Sequence, residues 1–512
     1  MCYRYCPIST MTSIIAPLLV FMIMVISNST ANAAPSASSS QSSAESTKRQ
    51  PNFVVIFADD LGYGDIGAFG STTINTPNID RMATEGAKFD QFYAASPVCT
   101  PSRAALLTGR YPIRQGIHKV FYPESLQGMD PEEITISEML KTVGYTTGLV
   151  GKWHLGHHDQ YMPWNQGFDE FFGVPYSNDM GGLYYFRNKE IQFEEIDQRY
   201  MTRTYTEEAI KFIDKHQDEP FFLYLAHNMP HVPIYASPEF TGKSAGGLYG
   251  DVVEEMDWGV GQIIKRLDEL GLSKDTLVIF TSDNGPWLLM GDEGGSAGSL
   301  RAGKQYTFEG GMRVPTVALW PGHIAEGLRP EGFATMMDWL PTFATLSGAA
   351  VPDDREIDGR DISGILSGEG SRENQELFYY MDGELRAYRS GDWKIKLPYK
   401  GKRGYFAFLN KGFMPSHNLL LFNLKQDPEE QNNLASHESE RVASMLAEIE
   451  SFQASLGDLP PAKKTGKNMD FSPYISLITI LVVKIVSLLA LLVATCWLLY
   501  RQIQKRLGSV KK

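Results

Sequence analysis

The chain has 512 residues, 43% of them hydrophobic, and a formal net charge of −13. That composition is globular, and an acidic balance with no basic face excludes nucleic acid as the partner, because the overall field repels phosphate. It gives no long-range help to a polyanionic substrate either, so any anion site here has to be a local cationic pocket.

Residues 1–33 read as an export leader: Arg4 precedes the apolar run Ile14 to Ile26, and Ala31-Asn32-Ala33 supplies the small residues of a cleavage site. Residues 34–49, rich in Ser and Ala without apolar periodicity, read as a disordered spacer. The N-x-S/T sequon at Asn28 falls inside the leader. The roughly 420 residues that follow exceed one ordinary core and suffice for a large α/β domain at 50–370 and a smaller one at 371–460.

The large domain is marked by apolar runs that each end in a polar cluster. Phe53 to Ala58 runs into Asp59-Asp60, and Thr146 to Val150 is followed by Lys152 and His154. Phe221 to Ala226 ends in His227 and His231, and Leu277 to Thr281 ends in Asp283-Asn284-Gly285. Helical patterns lie between, for example at Ile134 to Val143 and Tyr249 to Leu270, which implies a mostly parallel sheet with its ligand crevice at the carboxyl ends of the strands. Asp59, Asp60, Asp283 and Asn284 are all oxygen donors, a set that selects calcium or magnesium over zinc.

Between the first two of these strands lies Cys99-Thr100-Pro101-Ser102-Arg103-Ala104-Ala105-Leu106-Leu107-Thr108-Gly109-Arg110. Thr100 suits a helix N-cap, Pro101 the first helical position and Gly109 a left-handed stop, which places Cys99 just outside a helix N-terminus. Unpaired N–H groups and the positive end of the dipole there favour an anion. Cys99 also stands alone in the globular part, since Cys2 and Cys6 lie in the leader and Cys496 near the end, so a domain disulfide is excluded and the thiol is a candidate reactive centre.

This stretch resembles the signature of the type I sulfatases, and Thr281 to Pro315 most resembles the arylsulfatase A and N-acetylgalactosamine-6-sulfatase branch of that family. The resemblance implies an alkaline-phosphatase-like α/β fold, with a large mixed, mostly parallel sheet sandwiched by helices and a C-terminal antiparallel-sheet subdomain. It implies that Cys99 is converted to formylglycine by a formylglycine-generating enzyme, and that the aldehyde hydrate attacks the sulfur of a sulfate monoester. It assigns Asp59, Asp60, Asp283 and Asn284, with the modified Cys99, as ligands of calcium, magnesium being the other hard cation. It has Arg103 holding the hydrate, Lys152 and His154 binding and deprotonating it, and Ser177 hydrogen-bonding that group. His231 and Lys304 match residues that contact sulfate and the leaving oxygen. The substrate is then an aryl sulfate or a sulfated carbohydrate. A phosphate or phosphonate ester hydrolase of the same superfamily, or a noncatalytic sulfated-glycan binder if Cys99 stays a thiol, is also open.

Past Trp320 the pattern predicts a helix at Met336 to Ala349, short strands at Leu377 to Met381, Trp393 to Leu397 and Leu419 to Leu424, and a closing helix at Glu438 to Leu456. After a linker at 461–473, residues 474–500 read as a transmembrane helix in which Lys484 is the single charge. The basic tail at 501–512 would then be cytoplasmic and the enzyme anchored on the periplasmic or extracellular side.

Overall fold

The alternation of side chains along Phe53 to Ala58 shows how the molecule is layered. They form β1 (Asn52–Ala58), in which Phe53, Val55 and Phe57 enter one hydrophobic core and Val54, Ile56 and Ala58 enter another. Burial of both faces is why the strand reads as a continuous apolar run. The computed structural model describes residues 49–181, 183–399 and 418–466, with Lys484, Ser487, Leu492, Ala494, Thr495 and Trp497. The chain divides into two units, Met1–Lys48 and Arg49–Lys512. The first unit, which holds the expected leader and nearly all of the spacer, lies outside the described residues.

The main sheet has nine strands: β1, β2 (Ala87–Phe89), β3 (Thr146–Lys152), β4 (Glu170–Val174), β5 (Tyr185–Arg187), β6 (Glu190–Gln192), β7 (Phe221–Ala226), β8 (Thr276–Ser282) and β9 (Thr316–Leu319). They lie in the order β2-β9-β8-β1-β7-β3-β4-β5-β6. The centre is parallel from β8 through β4, while β9 is antiparallel to both its neighbours and β5 and β6 close the other edge as an antiparallel pair. The longer helices that cover the sheet are α1 (Pro77–Glu85), α2 (Cys99–Thr108), α3 (Ile136–Lys141), α4 (Met201–Lys215), α5 (Gly247–Glu269) and α6 (Trp339–Ser347). α1, α4 and α5 cover one face through residues such as Met82, Phe212 and Val260, and α2, α3 and α6 cover the other through Leu106, Leu140 and Phe343.

The smaller sheet follows as β10 (Glu376–Met381), β11 (Glu384–Ser390), β12 (Trp393–Lys396) and β13 (Leu420–Asn423), antiparallel in that order. Leu377, Tyr379 and Tyr388 share a core with α2 and α6, as do Met445 and Ile449 of the closing helix α7 (Ser439–Ser455). The sequence pattern missed β11 because Arg386 and Arg389 interrupt its apolar positions. Both are buried, and Arg389 donates to the Tyr93 hydroxyl and to Gln91 Oε1. Residues 461–466, expected to begin a linker, hydrogen-bond to the loop after α2: Lys463 N to Gly116 O at 2.8 Å, Tyr122 N to Thr465 O at 3.0 Å and Ser125 Oγ to Lys464 O at 2.9 Å.

One expectation is corrected. Among the described residues no helix is long and apolar enough to cross a membrane. The longest with side chains described, α5, carries Asp251, Glu254, Glu255, Asp257, Lys265, Arg266, Asp268 and Glu269, far too many charges for a bilayer. The stretch 474–500 that was expected to span lies almost wholly outside the described residues, as does the tail at 501–512. The membrane-spanning helix, and the anchoring and cytoplasmic tail deduced from it, therefore have no support in the fold.

Where β3 meets β7, Gly151 has a φ of +115°, and a methyl group there would sit 1.8 Å from the Ala226 carbonyl oxygen. The strand bends at this residue to deliver Lys152 and His154. Gly151→Ala is expected to cost about 3 kcal/mol or more through strain and overlap, read as a fall in denaturation midpoint. A wild-type midpoint would contradict the close approach.

Candidate active site

Parallel pairing in register places four strand ends side by side. Ala58 pairs with Ser282, and Phe57 and Gly151 both pair with Ala226. The ladder continues past the strands, with Asp283 N donating to Ala58 O at 3.1 Å, His227 N to Phe57 O at 2.9 Å and Asp59 N to Met229 O at 3.1 Å. At Asp60 the backbone turns through a left-handed φ of 66°, where its N–H meets Asp283 Oδ1 at 3.1 Å. Asp59, Asp60 and Asp283 thus converge although more than two hundred residues separate the first two from the third.

Helix α2 brings Cys99 to them. It starts two residues earlier than its sequence suggests, with Val98 as the extended cap, so Cys99 is the first helical residue. Thr100 does not cap; its hydroxyl donates to His154 O at 2.9 Å and accepts from Phe121 N at 3.1 Å. The helix ends at Gly109 as expected, at φ 66°. The Cys99 thiol donates to Asp59 Oδ1 at 3.4 Å. One ligand atom from each of Asp59, Asp60, Cys99 and Asp283 falls within 4.8 Å of the others.

Three cations interlock with these carboxylates. Arg103, fully buried, donates from Nε and Nη2 to Asp283 Oδ2 at 3.1 and 2.9 Å, from Nη1 to Lys152 O at 3.1 Å, and lies 3.5 Å from Asp59. Lys152 donates to Asp59 Oδ2, and Lys304 to Asp60 Oδ2 at 2.6 Å. Lys304 also lies over the Trp287 ring at 4.5 Å.

The histidine tautomers follow from their partners, because a carbonyl only accepts. His154 gives its Nε2 proton to Phe121 O at 3.0 Å, leaving Nδ1 buried and without a partner. His231 gives its Nδ1 proton to Val232 O at 2.6 Å, with Ser177 Oγ 3.4 Å from the same nitrogen, and its Nε2 lies 3.6 Å from Asp60 Oδ2. Burial, reinforced by Lys152 and Arg103, holds His154 well below the usual imidazole range. Burial and then Lys304 lower His231. Each therefore presents one bare nitrogen lone pair at neutral pH.

Burial raises carboxylate pKa values, but at Asp59 the charges of Lys152, Arg103 and Lys304 outweigh it and keep the group well below the ordinary range. At Asp283, burial and the neighbouring Asp59 charge prevail over Arg103 and push it up to about 7. Burial also raises the Cys99 thiol well above its ordinary value. Such crowding is relieved by a cation. Asn284 completes the donor set: its amide nitrogen donates to Asp60 Oδ1 at 2.7 Å and to Gly285 O at 2.9 Å, while its Oδ1 is buried without a partner. An orphaned amide oxygen beside three carboxylates is a donor set suited to a hard divalent ion.

All the residues singled out in the sequence, Asp59, Asp60, Cys99, Arg103, Lys152, His154, Ser177, His231, Asp283, Asn284 and Lys304, are buried in this one network. Other participants went unread. Ser102 donates its hydroxyl to Asp283 O, Phe121 enters through its backbone, and Trp287 packs against both His231 and Lys304. Only Trp287 left a signal, as an aromatic residue three positions past Asn284. His216 is bracketed by Glu170 and Glu219, away from the site.

Comparison with known proteins points to one family. A family model described as "Sulfatase" matches residues 51–349, and one described as "N-sulphoglucosamine sulphohydrolase, C-terminal" matches residues 302–454. The chain is 40% identical over 466 residues to N-acetylgalactosamine-6-sulfatase of Mus musculus, covering 82% of this chain and 89% of that protein. It is 38% identical over 460 residues to arylsulfatase A of Homo sapiens, covering 82% and 90%. Among solved structures, the PsFucS1 sulfatase from Pseudoalteromonas sp. matches with a TM-score of 0.74 at 28% identity, covering 82% of this chain and 92% of that one. Ps i-CgsB in complex with k-i-k-neocarrahexaose matches with a TM-score of 0.71 at 30% identity, covering 82% and 96%.

Proposed function

Because the chain belongs to the sulfatase family of sulfuric ester hydrolases, we propose that it hydrolyses sulfate monoesters of a sulfated carbohydrate or an aryl alcohol through formylglycine at position 99 beside a calcium ion. The observation that carries this is the Cys99 sulfur at 3.4 Å from Asp59 Oδ1, inside a ring of carboxylates and buried cations. Asp59, Asp60, Asp283 and Asn284 would hold the ion. When present, the ion offsets negative charge and the aldehyde hydrate supplies the attacking hydroxyl.

The rest is the work of the chain's own side chains. Lys152, Lys304 and Arg103 are fixed cations in a water-poor pocket, placed to meet the charge that grows on sulfuryl oxygens. His154, with Nε2 committed to Phe121, has Nδ1 as the base that can take a proton from the group at position 99. His231, its ring set by Val232 and Ser177, turns a bare Nε2 toward Asp60 and can hand a proton to the leaving oxygen only after taking one up there. Lys304, an ammonium seated between Asp60 and the Trp287 ring, is the direct proton donor to that oxygen.

The test is a mass spectrum of the peptide containing Cys99, with assays on sulfate, phosphate and phosphonate esters and a panel of sulfated sugars. The thiol-to-aldehyde mass change and release of inorganic sulfate are expected. Prolonged chelation should abolish turnover, and added calcium should restore it. An intact thiol with no turnover leaves a glycan-binding protein instead, and preferential release of phosphate moves the chain to the other ester hydrolases.

A further inference from the structure

The loop that carries Lys304 is bent against its own preference. Ala302 and Gln305, on either side of it, both have left-handed backbones, with φ of 61° and 74°. Neither is glycine, and such residues persist where the surroundings over-determine them. Two short ties bind the loop to the site: Lys304 N donates to Pro286 O and Gln305 N to Pro97 O, both at 2.8 Å. Pro286 follows Asn284, and Pro97 precedes Cys99.

The stronger restraint comes from the smaller sheet. Lys394 on β12 is fully buried, with its ammonium 2.8 Å from Glu309 Oε1 and 3.0 Å from Glu430 Oε1. Glu309 closes the loop five residues after Lys304, and its N–H donates to Glu430 Oε2 at 2.7 Å. Its other oxygen accepts from Tyr93 at 2.5 Å. Three residues before Lys304, Arg301 donates to Glu430 O at 2.8 Å and lies 4.1 Å from the Phe308 ring. The loop is thus gripped at both ends by Glu430, while Lys394 bridges the carboxylates of Glu430 and Glu309. A buried triad of this kind is poor value as a stabiliser, since apolar side chains would serve as well, and its attested use is to fix one arrangement among several.

We propose that the Glu309–Lys394–Glu430 cluster holds the strained loop in register and so seats the Lys304 ammonium on Asp60 and Trp287. Lys394 and Glu430, on a subdomain that contributes no side chain to the proposed reaction, are positioning residues for it. This rests on the functional reading above only where turnover is measured.

Lys394→Met keeps the stem and removes the charge; Glu430→Gln keeps the shape and weakens the pair. Amide hydrogen exchange of residues 301–312 reads the clamp without substrate, and Lys394→Met is expected to lose protection there while β1 and β8 keep theirs. In turnover, kcat/KM should fall about ten- to a hundredfold, the scale of a small misplacement, with Glu430→Gln intermediate. Added to Lys304→Ala, Lys394→Met should cost less than about twofold more, because its effect passes through that ammonium. Unchanged exchange at 301–312, or losses that multiply in the double variant, would reduce the cluster to a structural role and overturn the proposal. Should Lys394→Met fail to fold, Glu430→Gln decides by the same readouts. Should the unaltered protein hydrolyse no sulfate ester, the functional reading falls and the exchange data alone judge the clamp.

Discussion

Replacing Cys99 by alanine or serine is expected to lower kcat by a factor on the order of 10⁵ or more, the scale on which loss of a nucleophile is felt, with the fold intact. The thiol is small, buried and bound only to Asp59 Oδ1 at 3.4 Å, so its removal leaves a slight void and no stranded charge. Circular dichroism and the denaturation midpoint should stay close to those of the unaltered chain while release of inorganic sulfate disappears. Serine is the sharper probe: it offers one hydroxyl where an aldehyde hydrate has two, so it lacks the second oxygen needed to expel sulfate. Turnover by either variant at a wild-type rate would remove residue 99 from the chemistry.

Arg103→Met should be the most damaging single change to stability, and it should cost activity as well. The guanidinium holds Asp283 Oδ2 through two N–H groups, satisfies the Lys152 carbonyl and lies 3.5 Å from Asp59. Methionine fills part of the space but leaves Asp283 buried beside two other acids, and losing one partner of a buried pair costs about 3–5 kcal/mol. Activity should fall at least about 10²-fold, because one fixed cation is gone from the charge-bearing step. Arg103→Lys should recover little, since a single ammonium cannot span the same fork. Urea titration with and without calcium separates the effects: a metal-held cluster predicts partial rescue of the midpoint by calcium. A midpoint and turnover like those of the unaltered chain would mean that Arg103 is peripheral.

The site was legible in the sequence to the extent that its groups are side chains at the ends of apolar runs. β1, β3, β7 and β8 are buried on both faces, so their composition announces them, and the acids, lysine and histidines just past them follow from topology alone. The groups that orient those residues were not legible. Phe121 acts through its carbonyl, which has no residue identity, and Thr100 turned from a cap into a bridge because α2 starts two residues early. Glu309, Lys394 and Glu430 are scattered over more than a hundred residues in segments that look like ordinary charged loop and strand, and only the packing of the Lys304 loop against the smaller sheet reveals them. At the far end, an apolar stretch with basic flanks invited a bilayer reading that no described helix supports.

Residues Cys99 to Arg103 are all buried and helical. A second protein that reads this segment as an extended peptide cannot do so once the sheet has closed over it. The conversion proposed for Cys99 would therefore be a race between a modifying enzyme and collapse of the surrounding strands, one that fast folding would tip toward the unmodified thiol. Conditions that hasten folding should yield a larger share of correctly shaped but permanently inert molecules, distinguishable by mass and not by shape.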